Sequence, residues 1–193
     1  ILIKNTSDND FISAHELTKD EFIKKKNKWT LILKKARTNK NKPSLDYKII
    51  TSWNGLMISG YVDAYKAFND EIFKNEAIDA GEFIFKELVK RDNGLYHNYV
   101  NGTSKINGYL EDYATVIQAS LDLYEITLEQ IWLERALELS EYVTENFSDE
   151  ESKLFFFTSK KDEDLISRSI EFRDNVIPSS NSIMAKNLFR LYH

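Results

Sequence analysis

The sequence predicts an all-α fold of repeated helical hairpins, with short β-hairpins or extended segments inserted between the repeats. Two segments align without a gap when the chain is shifted by 59 residues, which brings Asp63 onto Asp122 and Tyr65 onto Tyr124. In both segments apolar residues recur every three or four positions, as a helix that buries one face requires. Helical hairpins repeating at this period are typical of a solenoid or toroid, in which each unit packs on its neighbours.

The repeat sets the expected boundaries of the hairpins within a single domain covering residues 1–193. We expect helical hairpins over about 52–90 and 109–146, and a third hairpin that begins at about 179. The third copy follows from a shift of 68 residues, which brings Tyr124 onto Tyr192. Each hairpin is expected to turn where its pattern breaks.

The segments outside the hairpins are predicted from local signals. Ile1–Lys4 is expected to form a short strand, and Thr18 with Glu21 has the spacing of a capping box that begins a helix. The aromatic stretches 94–102 and 153–172 alternate with polar residues, which favours small β-hairpins or extended loops.

Composition excludes several classes of function. The chain of 193 residues carries 26 basic and 31 acidic side chains, and this mildly acidic balance argues against a nucleic-acid partner. It has no cysteine, which excludes disulfides and thiol catalysis within it and fits a cytoplasmic location. No apolar stretch is long enough to span a membrane. We expect no cofactor and no metal site, because the chain has no glycine-rich phosphate loop and its three histidines are dispersed.

Polar and aromatic residues recur at the predicted start of the first helix of each repeat. Under the shifts, Trp53 and Asn54 fall on Asp112 and Tyr113, and then on Ser180 and Asn181. If the repeats close around an axis, these three helix starts gather on one face, where free amides, aromatic rings and polar side chains suit an oxygen-rich ligand. The candidate ligand-binding residues are therefore Trp53, Asn54, Asp112, Tyr113 and Asn181.

Glu111 and Asp112 are the candidate catalytic residues, although their spacing restricts what they can do. Adjacent residues of a helix point about 100° apart, so the two carboxylates do not face each other across a substrate. Either could instead complement the start of the helix. A glycosidase needs a second carboxylate across the substrate, and Asp46, Glu171 and Asp174 are possible partners.

The other candidates have structural alternatives of equal weight. Trp53 and Tyr113 could pack in the core or at its rim instead of stacking on a ligand. Asn54 and Asn181 could cap helices.

Three motifs in order carry a resemblance to a known family: KIITSWNGLM at 48–57, GYLEDYA at 108–114 and PSSNS at 178–182. Together they resemble the YyaL-type thioredoxin-domain-containing proteins, which have spermatogenesis-associated relatives in animals. The resemblance covers about residues 31–193. It implies a partial (α/α)6 toroid similar to N-acylglucosamine 2-epimerase, cellobiose epimerase and the six-hairpin glycosidases. It also implies that this chain is an interior fragment of a C-terminal toroid that follows a thioredoxin-like domain.

Two segments depart from the family's pattern. Residues 44–48 read SLDYK where the family has His-Leu-Asp-Asp-Lys, and residues 174–182 lack two of the family's glycines. The related epimerases use histidines as general acid and base on inner helices, whereas His15, His97 and His193 lie outside the three motifs. The resemblance therefore carries no epimerase mechanism over to these residues.

Two functional classes follow. In the first, the toroid binds or processes a saccharide, and this chain supplies one wall of an epimerase-like or glycosidase-like cavity. In the second, it is a non-catalytic scaffold or partner-binding module for the thioredoxin-like domain. In both, hairpins without neighbours leave apolar edges exposed, and we expect the fragment to self-associate.

Overall fold

The computed structural model describes residues 4–38, 40, 43–162 and 167–193 of the chain. The chain divides into two compact units, Ile1–Asp46 and Tyr47–His193. The single domain expected over residues 1–193 stays a prediction. Apart from Lys4, the strand predicted at the N-terminus lies outside the described residues.

The first unit contains two helices, α1 (Asp8–Ala14) and α2 (Lys19–Thr38). The predicted capping box at the start of α2 is present: Glu21 accepts the Thr18 N–H at 2.9 Å, and the Thr18 hydroxyl accepts the Glu21 N–H at 3.3 Å. The two helices contact each other through aromatic rings and an ion pair that joins Lys26 to Asp8 at 3.0 Å.

The second unit consists of helical hairpins, as the sequence predicts. Its helices are α3 (Thr51–Phe68), α4 (Glu71–Glu87), α5 (Leu110–Thr127), α6 (Gln130–Phe147) and α7 (Ser180–Tyr192). Helix α5 packs between α3 and α7, so the first helices of the three repeats form one row. Helix α4 packs on α3, and α6 packs on α5, as a second layer. No helix in the described parts of the chain has the length and hydropathy of a membrane span.

The first two hairpins keep the register of the sequence repeat. Helices α3 and α5 each have 18 residues, and both end at a residue in the left-handed region, Asn69 at φ 53° and Leu128 at φ 58°. Each of these residues donates its N–H to a carbonyl four residues earlier, which closes the last turn.

The third repeat begins two residues later than the shift of 68 residues predicts. Ser179 is the N-cap of α7, and its hydroxyl accepts the Ser182 N–H at 3.2 Å. The carboxylate of Asp174 accepts the Ser179 N–H at 2.9 Å, so this local cap sets where the helix begins.

The segments between hairpins contain less regular strand than predicted. Strand β1 (Ile49–Ile50) pairs antiparallel with β2 (Asn98–Tyr99), which lies inside the first aromatic stretch. A tight turn at Asn101 and Gly102, both with positive φ, follows it. In the described part of 153–172 the only bridge joins Phe155 to Ser148, and the rest of this part is extended or irregular loop.

The core lies between the two helical layers. Its largest fully buried side chains include Trp132, Tyr113 and Phe147. Helices α3 and α5 approach so closely at Gly55 that a Cβ there would lie 2.8 Å from the backbone carbonyl carbon of Thr115. This contact requires glycine, whereas Gly60 on the same helix has no atom within 4 Å of a Cβ.

Gly55→Ala is expected to destabilise the chain by about 1–3 kcal/mol, because the new methyl group forces two helix backbones apart. Gly60→Ala is the matched control and should stabilise by roughly 0.5–1 kcal/mol, since alanine favours the helix. Urea unfolding followed by circular dichroism measures both changes. Equal effects of the two substitutions would show that α3 and α5 do not meet at Gly55.

Candidate functional site

The starts of α3, α5 and α7 border one pocket of about 280 Å³. A volume near the lower end of ligand pockets suits a small molecule. Each of the three helices contributes polar or aromatic side chains, and the segment 175–178 lines another side. The side chains used below that line this pocket are Ser52, Trp53, Glu111, Glu171 and Ser180.

Asp112 joins the parts that surround this pocket. Its carboxylate is completely buried and accepts hydrogen bonds from the Ser52 N–H of α3, from the Tyr109 N–H before α5 and from the His97 ring, each at 2.9 Å. Burial raises the pKa of Asp112, and the three hydrogen bonds oppose that shift. Both oxygens are thus occupied within the protein, and Asp112 lies behind the pocket lining.

His97 is brought to Asp112 by the segment that leads into β2. Its carbonyl accepts the Thr51 N–H at 2.9 Å, and its N–H donates to the Ile106 carbonyl at 2.8 Å. With its Nδ1 proton donated to Asp112, the ring has a fixed orientation. That hydrogen bond raises the pKa of His97 above its usual value, although partial burial opposes the shift.

Glu111 is the carboxylate of this group that faces the pocket. It is half-buried, and burial, followed by repulsion from Asp112, raises its pKa; attraction to His97 opposes this, and Glu171 adds further repulsion. Glu111 therefore keeps its proton to a higher pH than an ordinary glutamate. Such a group can act as a proton donor to a bound ligand.

Glu171 faces the same pocket and also builds the start of α7. Its carboxylate accepts the Ser180 hydroxyl at 2.5 Å and the Ser180 N–H at 3.2 Å. The pocket therefore has two carboxylates, Glu111 on α5 and Glu171 before α7.

His97, Glu111 and Asp112 each place one atom of a metal-ligand type within 4.8 Å of the others. Asp112, however, would have to give up hydrogen bonds that hold two helix starts together. The group is therefore better suited to holding protons than to holding a cation. The sequence expectation of no metal site stays a prediction.

The predicted ligand-binding residues fall in different environments. Trp53 lines the pocket, and 70% of its surface is exposed. Asn54 is half-buried outside the lining and donates to the Ile50 carbonyl at 2.8 Å, which closes the first turn of α3. Trp53 is therefore the one predicted aromatic that a ligand in this pocket can reach.

Tyr113 and Asn181 make contacts inside the protein. The Tyr113 hydroxyl accepts the Leu95 N–H at 2.7 Å, and its ring stacks on Tyr142 with centroids 5.4 Å apart. Asn181 accepts the Phe155 N–H at 2.8 Å and donates to the Phe155 carbonyl at 2.9 Å. Both side chains support the wall behind the pocket.

Ser52 and His97 are site residues that the sequence analysis missed. Ser52 is 3% exposed and lines the pocket, and its hydroxyl has no hydrogen-bond partner among the described residues. A serine at the second position of a helix gives no signal of this kind. His97 lies in a segment that the 59-residue shift does not match, so the repeat could not indicate it either.

Solved structures similar to this chain show the type of fold. Cellobiose 2-epimerase from Bacillus thermoamylovorans matches 76% of this chain with 40% of its own, at a TM-score of 0.63 and 18% identity. An α-mannanase of glycoside hydrolase family 76 from Bacteroides thetaiotaomicron matches 80% of this chain with 40% of its own, at a TM-score of 0.61 and 19% identity. The chain therefore has the fold of part of an (α/α)6 toroid.

Relatives at higher identity indicate the family. No family model matches. An uncharacterised protein of Caenorhabditis elegans is 35% identical over 201 aligned residues, which cover 100% of this chain and 27% of that protein. Human spermatogenesis-associated protein 20 is 33% identical over 167 residues, which cover 81% of this chain and 21% of that protein. The chain thus spans about a quarter of the length of these relatives, and with them it belongs to the family of spermatogenesis-associated protein 20.

Proposed function

We propose that the pocket at the three helix starts binds a saccharide. The observation that carries this proposal is the placement of the exposed Trp53 indole beside two carboxylates and the unpartnered Ser52 hydroxyl. An aromatic face packs against the apolar face of a sugar ring, while carboxylates and hydroxyls bind its hydroxyl groups. The solved neighbours support it, because two of them are described as a cellobiose epimerase and a mannanase.

Processing of the bound sugar would use Glu111 as the proton donor. Its raised pKa favours the protonated form, and it lines the same pocket as Glu171, which is a second carboxylate. Asp112 and His97 would not touch the sugar in this scheme. Their pair holds the helix that carries Glu111, and their charges influence its pKa.

A scaffold that binds a thioredoxin-like domain is the second candidate. The observation that favours it is a groove of about 480 Å³ between α6 and α7, lined by Leu137, Leu188, Leu191 and Tyr192 among others. An exposed apolar surface of this kind marks a docking site or a site of self-association. In this alternative the protein remains in the cytoplasm, as the lack of cysteine suggests, and has no catalytic step.

Trp53→Ala should weaken saccharide binding by about tenfold, because it removes the stacking surface. The measurement is saturable quenching of intrinsic tryptophan fluorescence by a panel of mono- and disaccharides. Trp29→Ala is the matched control, since Trp29 is also exposed but lies on α2 in the first unit. Equal quenching of the wild type and Trp53→Ala, or no quenching by any sugar, would contradict the proposed site and favour the scaffold.

The His97–Asp112 pair should make stability depend on pH. Because the folded pKa of His97 is raised, its protonated form stabilises the fold fully below the unfolded pKa of 6.5, and this contribution is lost as pH rises through the folded value. Burial raises the pKa of Asp112, which shifts stability in the same direction. His97→Gln should therefore cost on the order of 1 kcal/mol at about pH 5 and less at about pH 9.

Urea unfolding of the wild type and His97→Gln across this pH range measures the difference. His15→Gln, at an exposed histidine of the first unit, is the control and should show no such trend. A cost of His97→Gln that stays constant or grows as pH rises would show that His97 is not stabilised as a cation beside Asp112.

A further inference from the structure

The pocket is electrically unbalanced. Glu111 and Glu171 line it, and none of the described residues that line it is a lysine or an arginine. Three helix N-termini point toward it and would by themselves favour an anion. Whether the pocket prefers an anion, a neutral group or a cation depends on how far those N-termini are already neutralised.

Carboxylates of the protein already occupy these helix starts. Asp112 accepts the Ser52 N–H of α3, and Glu171 accepts the Ser180 N–H of α7. Asp174 accepts the N–H of the α7 N-cap at 2.9 Å. The amides that would hold a phosphate or a sugar carboxylate are therefore bonded to protein oxygens.

The charges can be compared in magnitude. Three helix starts supply roughly one and a half positive charges, since each is equivalent to about half a charge. Glu111, Asp112, Glu171 and Asp174 oppose them with up to four negative charges, and a protonated His97 offsets one. A negative surplus remains, and it is concentrated on the two carboxylates that face the pocket.

We propose that the pocket takes a saccharide bearing a protonated amine, with the ammonium group held between Glu111 and Glu171. This inference rests on the proposed saccharide site and names the class of sugar that it selects. The unpartnered Ser52 hydroxyl supplies an acceptor for one ammonium N–H, and the face of Trp53 attracts a cation as well as an apolar ring surface. Sugars with a carboxylate or phosphate are excluded by repulsion.

Glu111 is the residue that reports on this selection. Its side chain takes part in none of the hydrogen bonds among the described residues, so a cation would supply the partner that this half-buried carboxylate lacks. Glu171, in contrast, is already bonded to Ser180. Glu111→Gln thus removes a charge from the pocket without removing a helix cap.

The test is isothermal titration calorimetry of the full chain with glucosamine, glucose and glucuronate, at a pH where the amine is protonated. We expect glucosamine to bind about tenfold more tightly than glucose, as one charge-assisted hydrogen bond provides, and glucuronate not to bind. Glu111→Gln should abolish the preference for glucosamine while leaving glucose binding in place. Glu138→Gln, at an exposed glutamate of α6 outside the pocket, should change nothing.

The outcomes separate this inference from the proposed function. Equal binding of glucose and glucosamine, or a preference that survives Glu111→Gln in a variant with the wild-type thermal transition, would overturn the selection for an amine and leave the saccharide site standing. Binding of glucuronate in preference to both would also overturn it. If none of the three sugars binds, both proposals fall.

Discussion

The buried carboxylate of Asp112 is the contact on which the arrangement of the second unit depends. It bonds to the start of α3, to the residue before α5 and to the segment that leads into β2. A buried carboxylate with one partner missing costs several kcal/mol, whereas three donors compensate its loss of water. Since backbone amides at helix starts have no partner within their own helix, the same contact also satisfies two of them.

A second polar contact joins the same row of helices further along their length. Asp122 on α5 accepts the Ser59 hydroxyl of α3 at 2.6 Å and pairs with Arg190 of α7 at 2.8 Å. With the close approach at Gly55, these contacts hold α3, α5 and α7 side by side from their starts inward. The pocket is a consequence of this alignment, because it forms where the three aligned helices begin.

The repeat in the sequence predicted which elements form and much of where they lie. A shift of 59 residues superposes α3 on α5 residue for residue, since both helices and the turns after them use the same pattern. The repeat could not predict burial: Trp53 and Asp112 occupy equivalent positions, yet one is exposed and the other is fully buried. The difference comes from the segment that carries His97, which packs against α5 and has no counterpart in the repeat.

The prediction that Glu111 and Asp112 cannot act as a facing pair leads to a division of roles between them. Because neighbouring residues of a helix point in different directions, Asp112 reaches into the protein while Glu111 lines the pocket. The two remain coupled by charge, since repulsion from Asp112 is one cause of the raised pKa of Glu111. Any substitution that removes the charge of Asp112 therefore alters both the helix starts and the acidity of Glu111, so a loss of activity in such a variant would not identify Asp112 as a catalytic residue. Glu111 can be replaced without breaking a helix cap, and its variants are the ones that report on chemistry in the pocket.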